Sequence, residues 1–87
     1  MGRWVGLRVY GAGEGRPAGP VPGRDYVELI GGPLDGQLLD VTSWGAEERA
    51  DGALLVTDTG QWGPGGRSDY APVPGDGTRF LWTGDTP

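Results

Sequence analysis

The run Gly60-Gln61-Trp62-Gly63-Pro64-Gly65-Gly66-Arg67 sets an indole and a guanidinium at the two ends of a glycine-rich loop. Main-chain N–H groups exposed in such a loop, together with Arg67, suit an anion, and Trp62 suits stacking on a planar or sugar face. The competing role is a long turn in which Trp62 folds back over the core for its area while Arg67 pairs with Asp69 or a neighbouring acid. Trp44 and Trp82 are the other indoles placed among core-forming segments. Trp44, Trp62, Arg67 and Trp82 are therefore the candidate partner- or ligand-binding residues, because Trp and Arg are the types that most often dominate interface energy.

Other chemistry lacks its residues. The chain has no Cys and no His, which removes thiolate nucleophiles, imidazole bases, disulfides and the usual zinc ligands. All seven basic residues are Arg, so no Lys serves a Schiff base or a P-loop. Two carboxylates can suffice for glycoside hydrolysis, but that needs a cleft deep enough to raise one pKa, and so few aliphatic residues give little wall. Asp51, Asp58, Asp69, Asp76 and Asp85 lie singly in turns, where Asp bonds its own backbone, and no calcium-loop spacing occurs. The expectation is no catalytic residue, no metal and no cofactor. Gly11-Ala12-Gly13-Glu14-Gly15 superficially fits a dinucleotide loop, yet Pro17, Pro20 and Pro22 forbid the helix a pyrophosphate needs. Pro17-Ala18-Gly19-Pro20 has bare PxxP spacing, as a proline-rich composition produces by itself.

Any site must be positioned by a lean scaffold: 19 Gly and 8 Pro in 87 residues, with four Trp and three Tyr supplying much of the apolar area. Eight of the fourteen residues from Gly11 to Arg24 are Gly or Pro, which predicts a linker. Before it, Arg3 to Tyr10 alternates Val5, Leu7 and Val9 against Trp4, Arg8 and Tyr10, a strand period. Residues 1–25 are thus expected to be an N-terminal strand or a flexible Gly/Pro-rich arm, and residues 26–87 one small β domain. Charge divides at the same place. The first 25 residues hold four Arg against Glu14 and Asp25, whereas the remainder holds three Arg against ten acids.

Tyr26–Ile30 and Gln37–Val41 are rich in strand formers and flank Gly31-Gly32-Pro33-Leu34-Asp35-Gly36. Pro33 presets φ for the first corner of a type I turn and Gly36 takes the left-handed conformation, which predicts a hairpin with Val27, Leu29, Leu39 and Val41 facing the core. Ser43 is placed to cap one helical turn through Ala46–Ala50, with Gly52 as terminator. Strands are predicted at Ala53–Thr57 and Arg79–Thr83, with a weaker one at Ser68–Val73 limited by Pro72. The fold class is all-β: a small antiparallel meander or partly open barrel of four to six short strands, with at most one short helical turn.

The run Tyr26-Val27-Glu28-Leu29-Ile30-Gly31-Gly32-Pro33-Leu34-Asp35-Gly36-Gln37, with the closing Trp82-Thr83-Gly84-Asp85-Thr86-Pro87, resembles a group of short uncharacterised proteins of actinobacteria and their phages. The resemblance covers roughly residues 26–87. It implies a domain boundary and a habitat, and no functional residues.

These readings lead to a binding domain and not an enzyme. An acidic folded part opposes direct nucleic-acid binding and suits a basic protein partner, with Trp62 and Arg67 as anchors. Two other readings are a small-ligand binder whose pocket is lined by Trp44, Trp62 and Trp82, and a component of a phage or cellular assembly in which strand edges and the N-terminal arm join neighbouring copies. No apolar run has the length of a membrane span or a signal peptide, so the default expectation is a cytoplasmic protein without membrane contact.

Overall fold

The Gly-Gly-Pro-Leu-Asp-Gly segment folds as its residue types dictate. In the computed structural model, which describes residues 6–12 and 18–87, it joins β1 (Tyr26–Ile30) to β2 (Leu38–Asp40). The Asp35 amide donates to the Gly32 carbonyl at 3.3 Å across Pro33 and Leu34, the closure a type I turn makes. Gly36 sits at φ 84° and Asp35 Oδ1 accepts the Gly31 amide at 2.6 Å. The antiparallel register pairs Val27 with Leu39. Val27, Leu29, Leu39 and Val41 are all buried in one core cluster with Leu34, Ala53, Leu55, Tyr70 and Phe80, the face that the alternation predicts.

The remaining elements are α1 (Ala46–Asp51), β3 (Ala53–Thr57), β4 (Gly66–Val73) and β5 (Asp76–Thr86). Helix α1 is capped at Gly45, not at Ser43 as predicted. The side chain of Glu48 reaches back to the Gly45 amide at 3.1 Å and so satisfies one free N–H of the first turn without a capping hydroxyl. Gly52 ends the helix at φ 80°, and a Cβ there would meet the Tyr70 carbonyl oxygen at 2.3 Å. Only glycine lets the chain turn so closely past β4 into β3.

The five strands lie in the order β2-β1-β5-β4-β3 and curl into a half-barrel, the partly open barrel of the sequence reading. Three pairings are antiparallel, while β1 and β5 run parallel with Leu29 opposite Phe80. The intervening β2, α1, β3 and β4 supply the long connection a parallel pair requires. Pro72 is tolerated in β4 because the β3 pairing ends at Tyr70, so beyond that point only β5 needs hydrogen bonds from this strand. Strand β4 returns into β5 through Pro74-Gly75, with Val73 opposite Asp76 and Gly75 at φ 77°, as a type II turn demands. Strand β5 is longer than predicted and shifts register beside Asp69 and Tyr70: Trp82 lies opposite Tyr70, Gly84 lies opposite Asp69, and Thr83 is left between them. This bulge re-aims the end of the strand.

The open seam lies between the outer strands β2 and β3. Along β2, the Tyr10 amide donates to the Leu38 carbonyl and the Leu38 amide donates to the Arg8 carbonyl, both at 2.7 Å. Across the seam, the Tyr10 hydroxyl donates to the Val56 carbonyl of β3 at 2.7 Å, and the Tyr10 ring packs against the core. Tyr26 and Leu38, on the outer face of β1 and β2, are buried outside the central cluster. The Tyr26 hydroxyl accepts the Val21 amide, and Arg24 pairs with Asp40. The Arg3–Val5 part of the predicted first strand and the Gly13–Gly15 part of the glycine run lie outside the described residues.

Candidate functional site

Two indoles converge on one residue, Asp85. Trp82 Nε1 donates to Asp85 Oδ1 at 2.9 Å, a contact within β5 that the bulge at Thr83 permits. Trp62, from the loop between β3 and β4, donates its Nε1 to the Asp85 carbonyl at 3.4 Å. Asp85 Oδ1 also accepts the hydroxyl of buried Ser68 at 2.6 Å, and Oδ2 accepts the Gln61 amide at 2.8 Å. The Gln61 amide, then Ser68, then Trp82 hold the Asp85 carboxyl below its ordinary range, against a smaller opposing effect of burial. A carboxylate supplied with three donors stays ionised and acts as a fixed acceptor.

The glycine-rich loop reaches Asp85 because it turns twice: the Gly63 amide donates to the Gly60 carbonyl and the Gly66 amide to the Gly63 carbonyl. Small residues are needed at both contacts. A Cβ on Gly60 would lie 2.9 Å from Asp85 Oδ2, and one on Gly66 would lie 2.8 Å from the Trp62 Cβ. Trp62 is nevertheless 52% exposed and Trp82 39% exposed, so the loop does not fold Trp62 under cover.

Beneath Trp82 lies the β1–β2 turn. A Cβ on Gly32 would sit 2.4 to 2.7 Å from three atoms of the indole, so the ring rests on bare backbone. The turn is tied to β4 by buried Tyr70, whose hydroxyl donates to the Gly31 carbonyl at 2.6 Å and accepts the Leu34 amide at 3.0 Å. Burial raises the Tyr70 pKa, with the Leu34 hydrogen bond opposing and the negative charges of Asp35 and Asp85 adding to it. Two carboxylates thus share this end of the barrel with two exposed indoles.

The four residues picked out in the sequence do not form one cluster. Trp62 and Trp82 meet at Asp85. Arg67, exposed on β4, directs its guanidinium to the Pro87 carbonyl at 3.4 Å and makes no ion pair with Asp69. Trp44 follows Val41, which bonds to Asp25 at the start of β1, whereas Trp82 covers the turn past the end of β1. Trp44 packs on Phe80 with ring centroids 6.4 Å apart. Asp85, Ser68, Gln61, Gly32 and Asp35 complete the site without having been picked out, although Trp82-x-x-Asp85 is a visible spacing.

Elsewhere, a groove of about 470 Å³ runs along the outer face between Val9, Tyr10, Val21, Arg24, Tyr26 and Asp40. Its polar groups are already engaged: burial raises the Asp40 pKa, but Thr42 and Arg24 together hold it below the ordinary value. No group of three or more potential metal-binding side chains occurs among the described residues, and no helix among them is long and apolar enough to cross a membrane. Compared with protein-family models, curated proteins and solved structures, the chain matches none.

Proposed function

We propose that this chain is a small protein-binding module that presents Trp62 and Trp82, held on Asp85, to a partner, with Arg67 at the rim. The observation that carries this reading is the pair of exposed indoles tied through their N–H groups to one residue. Fixing an aromatic side chain before contact removes ordering cost from the association, and exposed tryptophans in a rigid setting are the usual centres of interface energy. Affinity capture from the source cells with the wild-type chain and with Trp62→Ala/Trp82→Ala tests it. Partners should be retained by the wild type and lost by the double variant; an identical set with both would refute the reading.

Strand β3 supports a second reading, a component of an assembly. It is an uncharged outer strand whose Leu54 and Val56 are both more than half exposed, and it has none of the charges or prolines that usually blunt such an edge. Sedimentation of wild type against Leu54→Lys tests it: self-association abolished by the lysine supports assembly, and a monomer at high concentration refutes it.

A further inference from the structure

We infer that the Trp62–Trp82 surface receives a cationic side chain, arginine or lysine, from an extended peptide of the partner. The inference rests on the module reading and adds the chemistry of the occupant. Three observations carry it. The indole N–H groups are consumed internally by Asp85, so what remains to a partner is the π surface of each ring, which attracts cations. The Trp82 N–H bonds a carboxylate that stays ionised, and such a bond pushes electron density into the ring and strengthens that attraction. Finally, Asp35 and Asp85 bring two negative charges to this end of the barrel, both felt by Tyr70, in a chain of net charge −5. Arg67 is the cation nearest in sequence to Trp62, and it is turned to the Pro87 carbonyl.

The arrangement also separates this surface from simple attraction to acid. Helix α1 carries Glu47, Glu48 and Asp51, all exposed, and its nearest described indole is Trp44, whose carbonyl accepts Arg49 Nε. A polycation drawn to bare negative charge collects at α1 and perturbs Trp44. A cation held by π faces perturbs Trp62 and Trp82.

The test uses the full chain with fluorinated tryptophan and an octa-arginine peptide, an octa-lysine peptide and an octa-glutamate control. The ¹⁹F resonances are assigned by single Trp→Phe variants. The arginine or lysine peptide should shift the Trp62 and Trp82 signals and leave Trp44 unmoved, while octa-glutamate shifts none. Affinity should fall about two- to five-fold against the unfluorinated chain as ring fluorination weakens the cation–π attraction. Shifts confined to Trp44, affinity indifferent to fluorination, or no shift with either cationic peptide would overturn the inference. A partner captured by the wild type and lost by the double alanine variant would then leave the module reading standing with a different occupant. Loss of both would remove the module reading as well.

Discussion

Gly32→Ala probes the contact on which the indole platform rests. Gly32 has φ 66°, and placing alanine in that region costs about 1–2 kcal/mol by itself. The new methyl also meets the Trp82 ring at 2.4 to 2.7 Å, well inside contact distance, so the indole must swing away and give up its bond to Asp85. Overpacking of this kind adds about 1–3 kcal/mol, for a total near 2–5 kcal/mol. Gly36→Ala is the matched control. It lies in the same turn at φ 84° with nothing within 4 Å of its Cβ, so it carries the backbone cost alone. Urea unfolding of both variants, alone and in a Trp82→Ala background, separates the terms as a double-mutant cycle. The difference between Gly32→Ala and Gly36→Ala should exceed about 1 kcal/mol with Trp82 present and vanish without it. Equal losses in the wild-type background would refute the claim that Trp82 is seated on Gly32.

Further outcomes follow from the same geometry. Tyr70→Phe leaves the buried Leu34 amide without its acceptor and should cost about 1–3 kcal/mol, read as a drop in Tm and faster amide exchange at Leu34. Asp85 has its folded pKa below the ordinary 3.8. Its stabilising contribution is therefore complete above that ordinary range and lost as pH falls through the depressed value, so the Trp82 indole N–H resonance should move only in the acid range. Tyr10→Phe removes the hydroxyl that spans the seam to Val56 and should lower stability by about 0.5–1.5 kcal/mol. Removing residues 1–25 uncovers Tyr26 and Leu38 and should cost more, about 3 kcal/mol, with an unchanged Tm as the refuting result.

The local punctuation was legible in the residues. Pro33 and Gly36 define the first turn, and the alternation of Val27, Leu29, Leu39 and Val41 identifies the inner face. Helix α1 was legible in extent but not in its cap, because glycine is tolerated at an N-cap position and Glu48 reaches back to the Gly45 amide from inside the helix. Strand β4 looked weak because of Pro72. Its position beyond the last β3 pair, which removes the penalty, is a property of the sheet and not of the segment. The same holds for the candidate residues. Trp62 and Trp82 stood out by type and Trp82-x-x-Asp85 is a local spacing, but nothing near Trp62 indicates that it joins the same residue, and nothing in Gly31-Gly32 beyond turn chemistry indicates that an indole lies on it.

Where this chain turns, which side of its first hairpin is apolar and which chemistries lack their residues can all be read from residue type over a few neighbouring positions. The parallel pairing of β1 with β5, the bridging of the seam by Tyr10 and the sharing of Asp85 by Trp62 and Trp82 are set only by the folded whole. Those join groups 20 to 51 residues apart along the chain. They form because the whole half-barrel buries its core in one arrangement, and backbone preference at any single position carries no information about that sum.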